Sequence, residues 1–203
     1  MTKQDTYPGP DFWQGKYDED HMPWDLGKVS GPVETLVRHH FPPAGRVFIP
    51  ASGRGFEALF LAEKGYRVTA LDIVAPPLDF LRAQANQQGL EIEILHQDMF
   101  TLPARYDGAF DVFLEQTCLC ALAPPLYPDY EALAYRVLKP GGRLMGVFME
   151  VAFDDGPPFN TPPDLVLNLF PPERWRAEGP EPIVPKNPDR PGPEYLARFT
   201  KLE

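Results

Sequence analysis

The segment Ala51-Ser52-Gly53-Arg54-Gly55 places small residues directly after the apolar run Val47-Phe48-Ile49-Pro50 and before the spaced apolar residues Phe56, Leu59, Phe60 and Ala62. A strand-to-helix turn of this composition lets a ligand approach the backbone, and a helix N-terminus favours a carboxylate or phosphate. Asp72 ends the next apolar run, where a carboxylate can accept hydrogen bonds from both hydroxyls of a ribose. Asp98 follows a third run and can hold the exocyclic amine of an adenine, with Met99 and Phe100 packing on the ring; it is equally suited to start a turn or cap a helix. Dinucleotide oxidoreductases and adenosylmethionine enzymes both use such an arrangement. The spacing here is not G-x-G-x-x-G, because Ala58 stands where the third glycine belongs. Glu57 at the helix start is unwelcome beside a pyrophosphate but acceptable near the amino group of a methionine. S-adenosylmethionine is therefore favoured over NAD.

The elements that must position these residues are readable from periodicity. Short apolar runs at 46–50, 67–72, 91–95, 110–114 and 143–150 predict strands. Helices are predicted from Ser30 as N-cap to Phe41, over 55–64 closed by Gly65, over 77–88 closed by Gly89, and over 127–138. Lys139-Pro140-Gly141-Gly142 reads as a sharp stop, and 194–202 as an antiparallel edge strand. Strands alternating with helices of this length predict an α/β fold, a parallel sheet with helices on both faces. The expected organisation is one domain over 1–203, with a polar, aromatic arm at 1–28 and a core at 29–203.

Composition excludes several partner classes. The chain has 203 residues, 43% hydrophobic and 24% charged, which suits a globular protein. Lys and Arg number 19 against 29 acids, a net charge of −10, so the basic footprint for nucleic acid or an anionic membrane is missing. No stretch reaches the roughly 18 apolar residues of a membrane span, and the N-terminus has no signal-like apolar region, so the expected location is the cytoplasm. Cys118 and Cys120 are expected as free thiols. His21, His39 and His40 have no ligand spacing, His96 precedes Asp98 by two residues and can support it from behind, and no metal is assigned. The 26 prolines cluster in loops.

The pattern Phe12-Trp13, Tyr17, Pro23-Trp24-Asp25, the Pro50–Gly55 loop, Asp72, Asp98, Phe110-Asp111, Cys120-Ala121-Leu122, Leu138-Lys139-Pro140-Gly141-Gly142 and Gly156-Pro157-Pro158-Phe159 resembles the thiopurine S-methyltransferase family. Within it the likeness is nearest to plant-type halide/thiol methyltransferases and their bacterial relatives, and it spans nearly the whole chain. The resemblance implies a Rossmann-like class I methyltransferase fold, a mostly parallel seven-stranded sheet with an N-terminal lid. It implies S-adenosyl-L-methionine as cofactor and a small-molecule methyl acceptor, in a monomer or homodimer.

Residue by residue, the resemblance makes Trp13, Tyr17 and Trp24 the lid, with ordinary core packing as their alternative. A sulfonium cation is indeed stabilised by aromatic faces within about 6 Å. It puts Ala51, Ser52 and Gly53 on the methionine moiety, Asp72 on the ribose and Asp98-Met99 on the adenine. Glu115 and Gln116 fall at the floor of the transfer site. Gln116 departs from the Arg of thiopurine enzymes and the aromatic of plant enzymes, which removes a cation and argues against purine-type substrates. Phe159 and Asn160, in the loop from Asp154, are expected to close the acceptor side, unless that loop is only a rigid surface turn. A general base is optional; Glu115, Asp18 and Asp25 are candidates. The expected pocket is apolar and poor in cations, suited to a thiol, hydrosulfide or halide. A nitrogen or oxygen acceptor, a nicotinamide-dependent oxidoreductase and a non-catalytic adenosylmethionine-binding protein are the rival readings.

Overall fold

A computed structural model describes residues 8–152, 155–184 and 187–203. The start of the expected arm, and Asp154 of the expected acceptor loop, lie outside the described residues. The chain runs α1 (Pro10–Asp18), α2 (Gly31–His39), β1 (Arg46–Ile49), α3 (Phe56–Glu63), β2 (Arg67–Asp72), α4 (Ala75–Gln88), β3 (Ile92–His96), β4 (Phe110–Gln116), α5 (Tyr127–Val137), β5 (Leu138–Met149), α6 (Pro163–Leu169), β6 (Trp175–Pro182) and β7 (Glu194–Lys201).

The strands form one seven-stranded mixed sheet in the order β3-β2-β1-β4-β5-β7-β6. Pairings from β3 through β5 are parallel, and β7 pairs antiparallel with both β5 and β6. Strands buried on both faces read as continuous apolar runs, which is why β1, β2 and β4 stand out in the sequence. One face packs Val33 and Leu36 of α2, Leu61 of α3 and Leu81 of α4 against Val47, Val68 and Val112. The other packs Tyr130, Leu133 and Val137 of α5 and Val166 of α6 against Phe48, Phe113 and Phe199.

Local chemistry sets the boundaries. Ser30 caps α2, its Oγ accepting from the Val33 amide at 3.3 Å. Gly55, at φ +70°, starts α3, and a Cβ there would come within 2.6 Å of the Leu81 side chain, so only glycine joins the loop to the helix.

Four expectations change. The 194–202 segment is strand β7, but it lies inside the sheet, and the edge belongs to β6. That strand is exposed and carries Glu, Gly and Pro, so no apolar alternation marks it. Lys139 to Gly142 is not a stop before a strand: Leu138 already pairs with Phe110, and the pairing shifts before Arg143 meets Val112. The arm contains helix α1, with Pro10 in its first turn and no buried residue. Helix α6 follows Pro162 and buries only Val166.

Candidate active site

The order β3-β2-β1-β4 places the reversal of the sheet between β1 and β4, where open α/β sheets bind ligands beyond the strand ends. A cavity of about 340 Å³ lies there. Its lining includes Trp13, Tyr17 and Trp24 of the arm, Ala51 and Gly53 after β1, Asp72 at the end of β2, Asp98 and Met99 after β3, and Thr117, Cys118 and Cys120 after β4. A smaller cavity of about 50 Å³ is lined by Ser52, Gly53, Arg54, Glu57, Gln116 and Thr117. Trp24, Ala51, Gly53, Thr117 and Arg190 line both, so the two are parts of one site.

Asp72 is buried. One carboxylate oxygen accepts from the Gly53 amide at 2.8 Å, the other from the Val74 amide at 3.2 Å. Burial raises its pKa, opposed by these amide donors. The Ile73 amide also supports this carboxylate. A carboxylate has about four lone-pair sites, so these donors do not exhaust it, and Asp72 lines the cavity. Asp98 caps the turn at Met99–Thr101 by accepting from the Phe100 amide at 2.9 Å, and it also lines the large cavity.

The smaller cavity is polar and incompletely satisfied. Ser52 Oγ and Gln116 Nε2 are buried without a partner, whereas Gln116 Oε1 accepts from Ser30 Oγ at 3.3 Å. Glu57 accepts from the Ser30 amide at 3.1 Å, and burial raises its pKa. Unpartnered buried donors and acceptors in a cavity mark a place for a polar ligand group.

The arm is an aromatic cluster. Trp24 meets Trp13 edge-on at 5.5 Å between centroids and Tyr17 at 6.0 Å. Two contacts hold it over the cavity: Arg54 pairs with Asp25 at 3.5 Å, and Arg190 donates to the Trp24 carbonyl at 2.8 Å.

Glu115 has a different position from the other site candidates. It is buried and does not line the large cavity. Its carboxylate accepts from the Cys118 amide at 2.8 Å, the Leu119 amide at 3.1 Å and the Tyr130 hydroxyl. Burial lifts its pKa to about 7. Asp25 is paired with Arg54 and accepts from Gly27 N, and Asp18 is exposed and bonded to Gln14. Phe159 and Asn160 also stand outside the cavity lining; Asn160 Oδ1 accepts from Val151 N at 3.0 Å, and the loop presents Gly156, Pro157 and Pro158 to the cavity instead. Burial raises both thiols, Cys120 to about 12, so they line the wall as neutral SH groups.

The sequence reading missed Arg190. It lies among prolines, where nothing distinguishes it from a surface residue, yet its side chain is 3% exposed and its Nε sits 3.2 Å from Glu194. Lys16 lines the large cavity too. The pocket is apolar over much of its wall but is not poor in cations.

The comparisons with known proteins bear on the family and the fold. A thiopurine S-methyltransferase family model matches residues 9–182. Thiocyanate methyltransferase 1 of Arabidopsis thaliana is 26% identical, covering 94% of this chain and 84% of that protein. Thiopurine S-methyltransferase of Pseudomonas fluorescens is 26% identical, covering 73% and 74%. Among solved structures, the Burkholderia thailandensis 1,6-didemethyltoxoflavin-N1-methyltransferase, bound to its substrate and S-adenosylhomocysteine, superposes with TM-score 0.79 at 20% identity, covering 96% of this chain and 87% of that one. TehB from Haemophilus influenzae gives 0.67 at 16% identity, covering 96% and 67%. The sheet order, the paired cavities and the aromatic arm thus meet a family match over most of the chain, and the chain belongs to the thiopurine S-methyltransferase family.

Proposed function

We propose that this S-adenosylmethionine-dependent methyltransferase acts on a small, soft nucleophile: a thiol, hydrosulfide, halide or thiocyanate. The observation that carries the reading is the size and chemistry of the cavity. At about 340 Å³ it lies at the low end of small-molecule pockets, roughly 300–1,000 Å³. An adenosine-bearing ligand takes most of it and leaves room for an acceptor of few atoms. The acceptor wall combines the sulfur side chains of Cys118, Cys120 and Met149 with Pro157-Pro158 and the buried cation of Arg190. Polarisable sulfur and one weakly hydrated guanidinium suit a soft monoanion.

The residues fit the cofactor. Asp72 offers its remaining lone pairs to ribose hydroxyls, Asp98 an oxygen to an adenine amine, and Met99 a soft face to the ring. The unpartnered Ser52 Oγ and Gln116 Nε2, with the Glu57 carboxylate, suit the charged amino-acid end in the smaller cavity. Trp13, Tyr17 and Trp24 act as the lid: all three line the large cavity and Trp24 lines the smaller one as well, which puts aromatic rings beside a sulfonium. S-adenosylmethionine supplies a methyl group already activated by its sulfonium leaving group. What remains for the protein is alignment and water exclusion. Arg190 orients an anionic acceptor, and the lid and the proline pair keep solvent out. No buried group is needed to take a proton from a halide or thiocyanate, and thiols ionise partly near neutral pH.

We read residues 1–28 as the lid arm and 29–203 as the core of one methyltransferase domain. The two buried free thiols fit the reducing cytoplasm, and no described helix is long and apolar enough to cross a membrane. The deciding experiment measures S-adenosylhomocysteine release over a panel of thiols, hydrosulfide, iodide, thiocyanate, amines and carboxylates. Turnover confined to the sulfur and halide acceptors is expected. Release with amines or carboxylates alone, or with none, would overturn the proposal.

A further inference from the structure

Thr117 is one of three described non-glycine residues with positive φ, at +57°, and it lines the large cavity, the smaller one and a third space of about 10 Å³. A β-branched residue in the left-handed region is an outlier that persists only where its surroundings over-determine it. Thr117 Oγ1 donates to the Gln116 carbonyl at 2.7 Å, and the amides that follow are held by one carboxylate. The Glu115 carboxylate reaches past Thr117 to the amides of Cys118 and Leu119, and the Tyr130 hydroxyl of α5 fixes it from behind. Gly146 on the neighbouring β5 makes room for it, since a Cβ there would stand 2.9 Å from the Glu115 Cβ. On the other side of Thr117, Gln116 is tied to Ser30. The wall that follows, Cys118, Cys120, Ala121 and Leu122, leaves the strand in the direction set at this turn.

We propose that Glu115 is a positioning residue that holds Thr117 left-handed at the junction of the cavities and thereby sets the acceptor wall of residues 117–122. The proposal rests on the methyltransferase reading of the site. Of the proposed cofactor contacts only Gln116 adjoins this turn, and it stays tied to Ser30. The others come from the ends of β1, β2 and β3 and from the arm, so the clamp governs the acceptor and the alignment for transfer, and leaves cofactor affinity nearly untouched. Glycine adopts positive φ without cost, so a glycine at 117 makes the clamp dispensable.

The test is a double-mutant cycle with thiocyanate as acceptor, whose charge is constant near neutral pH. Glu115→Gln is expected to lower kcat/KM for thiocyanate at least about tenfold, with S-adenosylhomocysteine affinity by calorimetry within about threefold of wild type. In a Thr117→Gly background the same replacement is expected to cost less than about threefold. Equal losses in both backgrounds, or cofactor affinity falling in step with kcat/KM, would overturn the proposal. If Glu115→Gln does not fold, Tyr130→Phe takes its place, with a smaller loss that again vanishes beside Thr117→Gly; a loss that persists there counts against the clamp. Amide hydrogen exchange gives a readout without turnover: protection at Cys118 and Leu119 falls in the variant while β1 and α3 keep theirs, and unchanged protection refutes the clamp. A wild-type enzyme inert toward every acceptor defeats the functional reading instead, and the exchange measurement still decides this one.

Discussion

Replacing Trp24 by Ala tests whether the aromatic arm binds a cation, as the proposed lid requires, or only covers apolar surface. The Trp24 ring is half-buried, packs edge-on against Trp13 and Tyr17, and lines both cavities. An aromatic face on a cation contributes about 0.5–1 kcal/mol when exposed and about 2 when desolvated. A half-buried ring should fall between about 1 and 2 kcal/mol, which at about 1.4 kcal/mol per decade is a loss of roughly 5- to 30-fold in affinity for S-adenosylmethionine. The same substitution removes apolar area and two edge-on ring contacts, which weaken binding of any ligand of this shape. S-adenosylhomocysteine has the same shape without the charge, so it reports the second effect alone. Calorimetric titration of wild type and Trp24→Ala with both ligands is the assay, and the quantity of interest is the ratio of the two losses. A ratio of roughly 5 to 30 is expected, with Trp24→Phe recovering much of it. Equal losses for the charged and uncharged ligands would refute the reasoning, leaving the arm as an apolar cover.

Arg190 and Glu194 form a pair whose side chains are each 3% exposed, so Arg190→Met should destabilise by about 3–5 kcal/mol in urea titration because it strands a buried carboxylate. Adding Glu194→Met should restore most of that loss, and the double variant should show a raised KM for thiocyanate with S-adenosylhomocysteine affinity little changed. Glu115 predicts a pH dependence of stability. Its folded pKa is about 7 against an ordinary 4.5, so its favourable contribution is complete below pH 4.5 and is lost as pH rises through 7, an effect of about 3 kcal/mol. The groups around it are Tyr130 and Tyr127 of α5, Cys118, Cys120 and Tyr195 of β7, with Glu194 across the small space, and none is a cation. Glu57 and Asp72 are raised in the same direction. Urea midpoints should therefore fall between pH 4.5 and 7.5, with a shallower fall in Glu115→Gln; an unchanged slope in that variant would contradict the assignment.

The parts of the fold that were legible in the sequence are those where burial dictates residue type. Strands β1, β2 and β4 are apolar because both faces are covered, and Asp72 stands out as the acid ending such a run. Helix α1 was not legible because its partner is a ligand cavity and not the core, so Phe12, Trp13 and Tyr17 form no stripe shared with buried neighbours. Strand β6 was missed for the opposite reason: an exposed edge tolerates the Glu, Gly and Pro that argue for a loop. Arg190 required the tertiary structure, because only the return of the chain from β6 to β7 brings it beneath Trp24. Glu115 shows a further limit. Sequence order places it at the end of β4, beside the site, but period-two alternation leaves open which face a side chain takes at a strand end, and here the carboxylate turns to its own amides.

Two of the three described positive-φ non-glycine residues, Ala51 and Thr117, follow the adjacent strands β1 and β4 at the reversal of the sheet. Such residues cost of order 1–3 kcal/mol each and collect where geometry is held for function. If the strain serves the site and not the fold, relieving it should stabilise the protein while harming the enzyme. Thr117→Gly removes the left-handed penalty, offset by about 0.5–1 kcal/mol of glycine entropy and by the loss of a partly buried side chain, leaving a net gain near 1 kcal/mol. Ala51→Gly should gain a similar amount, with less packing to lose. Both variants are expected to unfold at higher urea concentration than wild type and to turn over thiocyanate more slowly, because each loses a side chain that lines the cavity. A Thr117→Gly protein that is less stable than wild type by more than about 1 kcal/mol would mean that the turn carries no releasable strain, and that Glu115 holds a conformation the chain already prefers.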